Sequence, residues 1–306
     1  MRYRYYTVDA FTDRLFEGAQ IAVLPDARGL NDATMQKIAR EFNLSETVFV
    51  FPPMNPANAK RLRIFTPTRE VPFAGHPTLA AAHVLTAIGE IGGTEAGPGG
   101  VDPSLRFVFE ETVGPINVSV STDANRRFSE FSVLTTYSTD RMTPLDAELA
   151  KFLSLSESDI GIDGFHPLVV ATEQPYLMVP LRSFAAVRRA KFDYRAWSES
   201  SAPSTLSNEV MLFSVETESA DSGYHCRLVG PNIGVHEDPP IGSAIAAFAG
   251  YLCESRGPEH AFVAERGAES HRRSLLRVRA EKQAERTVAL RVGGTAVLVC
   301  DGHIHL

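Results

Sequence analysis

The stretch 71–89, VPFAGHPTLAAAHVLTAIG, reads as a Pro/Gly turn followed by a helix that is apolar nearly all round. A second stretch, HEDPPIGSAIAAFAGYLCE at 236–254, repeats the recipe: a Pro/Gly turn with polar groups, then an Ala-rich apolar helix. A helix without a polar face has no side to turn to water and must be buried. One such helix in each half predicts an α/β protein of two similar units, each wrapping a sheet around one central helix. The likeness lies in pattern rather than identity, and it points to duplication.

Strand patterns surround both stretches. LRFVFE (105–110) and PINVSV (115–120) alternate apolar with polar residues, while 47–51 and 61–65 are rich in β-formers between turns. Segments 168–171, 176–181, 210–215, 224–229, 288–292 and 296–300 repeat this in the second half. Asn31 caps a predicted helix with Met35, Ile38, Ala39 and Phe42 on one face. Thr143 to Asp146 read as a second capped start, with Leu145, Leu149 and Phe152 inward. The segments 92–100 and 198–207 have loop composition, with a short basic helix near 182–191. A boundary near 121–127 gives an N-terminal domain over 1–125 and a C-terminal domain over 126–306. The strand near 296–306 is placed to pack back onto the first domain.

Composition bounds the function. The 306 residues carry 44% hydrophobic and 22% charged residues, the mixture of a folded globular chain. A formal net charge of −7 argues against a general nucleic-acid binder. No apolar run reaches the roughly 18 residues of a membrane span, and the start lacks a signal-peptide core. Three widely spaced cysteines, Cys226, Cys253 and Cys300, form neither a disulfide framework nor a zinc-ligand spacing, and all three read as buried, inert thiols. A reducing cytoplasm is the expected setting.

Buried helix starts are anion sites, because their first N–H groups lack partners and the dipole adds positive charge. Gly75 and His76 precede the first helix; Gly242 and Ser243 precede the second. His76 titrates near neutrality when unperturbed. Asp238 stands in a loop fixed by Pro239 and Pro240, and Glu46 in NLSETVFVF at the entry of an apolar strand. A desolvated carboxyl there serves acid–base work. Each residue also has a plain reading: Glu46 as a surface carboxylate, His76 as a cap, Asp238 as a turn initiator, Ser243 as a first-turn residue. His303 and His305 share a strand face, a spacing that metal sites also use. There is no His-Glu-x-x-His, G-x-S-x-G or G-x-G-x-x-G motif.

VDAFTDRLFEGAQIAVL, IAREFNLSETVFVF, RIFTPTREVPFAGHPTLAAAHVL and GVHEDPPIGSA together resemble the successive signatures of the phenazine-biosynthesis PhzF family. The resemblance runs in order over nearly the whole chain. It implies the diaminopimelate epimerase-like fold: two similar α/β domains, each a curled mixed sheet around a central helix, with the active site between them. It further implies cofactor-independent isomerisation of a small cyclic amino- or hydroxy-carboxylate such as trans-2,3-dihydro-3-hydroxyanthranilate, and a homodimer. Carried over residue by residue, Glu46 of Ser-Glu-Thr moves the proton, and His76 and Asp238 assist. Gly75, Pro77, Gly242 and Ser243 contact the substrate.

Racemases of that superfamily use a cysteine at each helix start. This chain has none there, which excludes a two-thiol mechanism. Ala19-Gln20 stand where the family often has Asn-Pro after glycine, and Pro240-Ile241 where it has Ala-Thr. Ile241 removes a hydroxyl beside the implied carboxylate site. A missing donor against a buried polar group costs about 1–3 kcal/mol, enough to alter the preferred substrate. A non-catalytic carboxylate-binding protein of the same fold is the alternative.

Overall fold

Alternating apolar and polar residues build most of the strands, and the computed structural model describes residues 1–92, 104–123, 126–205, 207–231, 240–267 and 272–306. The chain divides into two compact units, Met1–Val133 with Arg291–Leu306, and Leu134–Leu290.

The first unit contains β1 (Arg2–Ala10), β2 (Ala19–Leu24), α1 (Asp32–Phe42), β3 (Glu46–Phe51), β4 (Lys60–Phe65), β5 (Glu70–Val71) and α2 (Gly75–Ala87). It continues with β6 (Leu105–Glu111), β7 (Gly114–Asp123) and most of β8 (Arg126–Thr136). The strand order is β1-β2-β3-β4-β6-β7-β8. The last strand, β16 (Thr287–His305), pairs with β8 and also antiparallel with β1, from Arg2↔His305 to Ala10↔Ala296. The strands of this unit therefore close on themselves in a barrel-like arrangement.

Helix α1 behaves as its sequence predicts. Asn31 Oδ1 accepts from the Thr34 N–H at 2.9 Å, and Met35, Ile38 and Ala39 are buried. In α2 every residue from Gly75 to Leu85 is buried, as the missing polar face requires. The helix packs on β1, β2, β3 and β7, and each enclosed Leu or Val contributes roughly 1.5–3 kcal/mol.

The second unit contains β9 (Ser138–Asp140), α3 (Asp146–Leu153), β10 (Leu168–Ala171), β11 (Pro175–Pro180), α4 (Phe184–Arg189) and α5 (Tyr194–Glu199). After these come β12 (Glu209–Ser214), β13 (Tyr224–Val229), α6 (Gly242–Ser255), β14 (Glu259–Arg266) and β15 (Ser274–Ala284). Helix α6 packs on β10, β11, β14 and β15. The pairings β10–β11, β11–β12, β12–β13, β13–β14 and β14–β15 alternate antiparallel and parallel. The series β1–β2, β2–β3, β3–β4, β4–β6 and β6–β7 alternates in the same sense. In both units a parallel pair flanks the central helix in sequence, β4-α2-β6 and β13-α6-β14. The duplication seen as a hydropathy pattern is thus a repeat of topology.

Several local expectations change. Leu145 is 72% exposed because it precedes α3 at the cap position, where its N–H donates to Glu148 at 3.0 Å. Leu149 and Phe152 are buried as expected. Segment 198–207 is not all loop: α5 reaches Glu199, started by Asp193, whose carboxylate accepts from the Ala196 N–H. Segments 288–292 and 296–300 are one strand, because Gly293 lets β16 pass Phe128, whose ring lies 2.6 Å from where a Cβ would be. Residues 93–100 of the glycine-rich segment lie outside the described residues. Among the described residues, no helix is long and apolar enough to cross a membrane.

Candidate active site

Helix α2 begins without a described side chain capping it. Ala74 holds the cap position with extended backbone. Pro77 carries no N–H, so the first turn presents the N–H groups of Gly75 and His76. A Cβ at Gly75 would lie 2.7 Å from Cζ of Phe131, so the packed ring demands glycine there, whatever its backbone binds. His76 is 3% exposed, and its ring stands edge-on to Phe11 with centroids 4.9 Å apart. Phe11 adopts φ +62°, uncommon for an aromatic residue. The turn after β1 thereby brings its ring to the histidine.

Glu46 opens β3 on the opposite face from Phe49, which packs with Met35, Ile38 and Ala39 of α1. Its parallel partner in β2 is Ile21, close to where β1 and β2 meet at Ala10 and Ala19. The residue as a whole is half-buried. Its Oε2, however, is withdrawn from solvent and has no hydrogen-bond partner among the described residues. Burial pushes the carboxyl up to about 7, since desolvation penalises the charged form.

One further carboxyl reaches α2, that of Glu111, which bonds Thr78. Glu110 and Glu111 are neighbours on β6 and point to opposite faces. Glu110 accepts from the N–H groups of Met54 and Asn55 and from Asn58, which hold its carboxyl below the usual range. Glu111 is 7% exposed, and burial pushes it up to about 8. Strict alternation with Phe107 and Phe109 is the signal that marks Glu111 as inward.

In the second unit Gly242 and Ser243 form the first turn of α6, with the fully buried Ile241 at the cap position. The Tyr176 hydroxyl accepts from Gln174 Nε2 at 2.5 Å and engages Ser243. Glu209 pairs with Tyr176 across the parallel β11–β12 register; burial raises its carboxyl, and a bond to Gln174 opposes the rise. Asp238 lies outside the described residues. Of the expected site residues, the structure thus places Glu46, Gly75, His76 and Pro77 in the first unit and Gly242 with Ser243 in the second.

Residues 8–302 match the model of the phenazine biosynthesis-like protein family, PhzC-PhzF. The chain belongs to that family. An uncharacterized isomerase of Mesorhizobium japonicum is 35% identical over 99% of this chain and 98% of its own. A trans-2,3-dihydro-3-hydroxyanthranilate isomerase of Pseudomonas chlororaphis is 32% identical over 99% of this chain and 100% of its own. Among solved structures, a PhzF-family phenazine biosynthesis protein of Bacillus anthracis covers 100% of both chains with a TM-score of 0.83 at 22% identity, a likeness of fold. This member of the PhzC-PhzF family is therefore an isomerase-class enzyme with the mixed α/β fold of the group.

Within this PhzC-PhzF protein no cysteine lies at either central helix start: Cys226 is on β13, Cys253 near the end of α6 and Cys300 on β16. Burial raises the thiols of Cys226 and Cys253. Cys300 corrects the expectation of a buried thiol. It is exposed, at an outward position opposite Thr7, whose hydroxyl is 2.9 Å from Sγ. His303 Nδ1 faces Arg2 at 3.1 Å, and among the described residues no group of three or more His, Cys, Asp or Glu is placed to hold a metal.

Proposed function

We propose that this enzyme isomerises a small cyclic amino- or hydroxy-carboxylate by moving one proton between carbon atoms of a conjugated system, with trans-2,3-dihydro-3-hydroxyanthranilate as the model substrate. The observation that carries the reading is the Glu46 carboxyl, with its Oε2 buried and unpartnered among the described residues and its pKa near 7. Near neutrality both forms of such a group are populated, so it takes a proton from one carbon and returns it to another. Nothing is consumed, and the proton balance closes on Glu46 itself.

His76 and Asp238 are the proposed assistants in holding polar groups of the substrate. The N–H groups at Gly75 in the first unit and at Gly242 and Ser243 in the second are proposed to receive its carboxylate, with Pro77 fixing the first turn of α2. Helix starts favour such anions by typically 0.3–1 kcal/mol each. The reading further takes the protein as cytoplasmic and as a homodimer, and light scattering tests the dimer.

The deciding experiment follows turnover of trans-2,3-dihydro-3-hydroxyanthranilate in deuterated water by the native enzyme and Glu46→Gln. Deuterium wash-in lost with Glu46→Gln supports the reading, and equal wash-in in both proteins sinks it. A ligand that raises the melting temperature but never exchanges a C–H proton favours the binding-only alternative.

A further inference from the structure

Thr78 sits one turn into α2 and is fully buried. Its Oγ1 lies 2.7 Å from the Ala74 carbonyl oxygen and 2.7 Å from Glu111 Oε1. A hydroxyl has one proton to give, so the two short contacts cannot both be donations from Thr78. If Glu111 were ionised, Thr78 would donate to the carboxylate and the contact to Ala74 would set oxygen against oxygen. If Glu111 carries its proton, the acid donates to Thr78, and Thr78 donates to Ala74. The second Glu111 oxygen decides between these. Oε2 is buried without a hydrogen-bond partner among the described residues, an environment that a neutral acid tolerates far better than a carboxylate.

Ala74 is the cap residue of α2, immediately before Gly75 and His76, and no described side chain caps this helix. Its carbonyl also accepts the Thr78 N–H at a long 3.2 Å, so the side-chain bond is the shorter tie on the helix start. We propose that Glu111, acting as a protonated acid through Thr78, is a positioning residue that fixes the first turn of α2 and with it His76. The inference rests on the reading of the α2 start as part of the active site. It concerns a group that touches neither substrate nor reacting atoms.

The arrangement parallels a relay with a fixed direction: acid proton to hydroxyl, hydroxyl proton to carbonyl. Glutamine at position 111 keeps that direction, because its amide N–H donates where the acid O–H did. Leucine removes the donor and frees Thr78 to turn. At position 78 serine keeps the hydroxyl, and valine removes it while keeping the shape.

The test compares Glu111→Gln, Glu111→Leu, Thr78→Ser and Thr78→Val in the full-length enzyme. Two readouts are used: kcat and KM with trans-2,3-dihydro-3-hydroxyanthranilate, and amide hydrogen exchange at Gly75, His76, Thr78 and Leu79. Glu111→Gln and Thr78→Ser are expected to stay within about twofold of wild type in both. Glu111→Leu and Thr78→Val should lose about tenfold in kcat, the rate equivalent of one neutral hydrogen bond, and speed exchange at those amides by a similar factor. Glu111→Gln as impaired as Glu111→Leu would overturn the neutral-acid role, and so would wild-type exchange in Thr78→Val. An infrared carboxylic-acid band present at pH 7 in wild type and missing in Glu111→Gln supports the proton assignment if the leucine variant does not fold; its absence from wild type overturns it. The exchange readout is independent of chemistry, so an active Glu46→Gln would sink the proposed acid–base while leaving this result to stand or fall alone.

Discussion

Glu46 and Glu209 occupy corresponding places in two copies of one topology. Each is the first residue of the strand that runs parallel to its predecessor, β3 beside β2 and β12 beside β11. Burial raises both carboxyls. They differ in what holds them. Glu209 has the Gln174 amide as partner, whereas Glu46 Oε2 has none among the described residues. A tethered acid is occupied and an untethered one is available for a proton of the substrate.

Substitution should separate the two. Glu46→Gln is expected to lower kcat by about 10²–10⁴-fold, while Glu209→Gln stays within about tenfold. Steady-state assay of both variants on trans-2,3-dihydro-3-hydroxyanthranilate checks this, and equal losses would give the second glutamate an equal part in proton transfer.

The pH profile follows from the same group. With the carboxylate form as the base, kcat/KM should fall about tenfold per pH unit below about 7 and level off above it. His83, the other histidine of α2, is held down to about 4 by burial and by Arg127, so it does not shape that limb. A profile flat from pH 5.5 to 7.5 would contradict the assignment.

Stability should respond to Glu111 in the opposite way from an ordinary carboxylate. The folded chain keeps this proton up to about 8, whereas an unfolded glutamate releases it near 4.5. Between those values the unfolded chain binds fewer protons, so rising pH destabilises the fold, with a limiting slope of about 1.4 kcal/mol per pH unit. Glu111→Gln should flatten the fall in denaturation free energy from pH 5 to 8. An unchanged slope would mean that Glu111 ionises normally.

A methyl group at residue 75 would press on the Phe131 ring. Phe131 is 4% exposed and stands edge-on to Phe73 at 5.6 Å, so its packed ring must shift to admit a Cβ 2.7 Å distant. Gly75→Ala should cost about 1–3 kcal/mol, and Phe131→Leu in the same chain should recover part of it. The second unit repeats the arrangement: a Cβ at Gly250 of α6 would meet the Tyr137 ring at 2.7 Å. Urea titration of Gly75→Ala and Gly250→Ala checks both, and no loss in either would refute the steric account.

The Glu265 carboxylate offers a control of opposite sign. It is fully buried, and burial alone would raise it. His225 at 3.0 Å and the N–H groups of Glu218 and Ser219 hold it below the usual range instead. Its contribution is complete above about 4.5 and is lost as pH falls through the lowered folded value. Glu265→Gln should cost about 3–5 kcal/mol at neutral pH, measured by chemical denaturation, with turnover per folded molecule retained.

The two central helices were legible in the sequence because burial on every side leaves no polar stripe, and that signature needs no partner to be recognised. Asn31 was legible for a similar reason, since its hydrogen bond closes within three residues. Glu111 was not singled out, because two adjacent glutamates after LRFVF read as the end of a strand, although carrying the alternation of Phe107 and Phe109 one step further places Glu111 inward. Leu145 misled because a cap residue does not share the face of the helix it starts. The two halves of β16 were separated at Gly293 and Gly294, residues that usually mark a turn. Here Gly293 serves the close passage of the Phe128 ring.

The pairing of β1 with β16 sets a timetable for synthesis. The nine residues of β1 wait for a partner made almost 300 residues later. At about 5–20 residues per second on the ribosome, that wait lasts on the order of 15–60 s. Through it one edge of β1 offers unpaired N–H and C=O groups to any neighbouring nascent chain. The unit that β1 opens is therefore finished only after the second unit has been made, and a ribosome stalled before residues 296–305 are free to pair should leave a species prone to aggregation rather than a folded half.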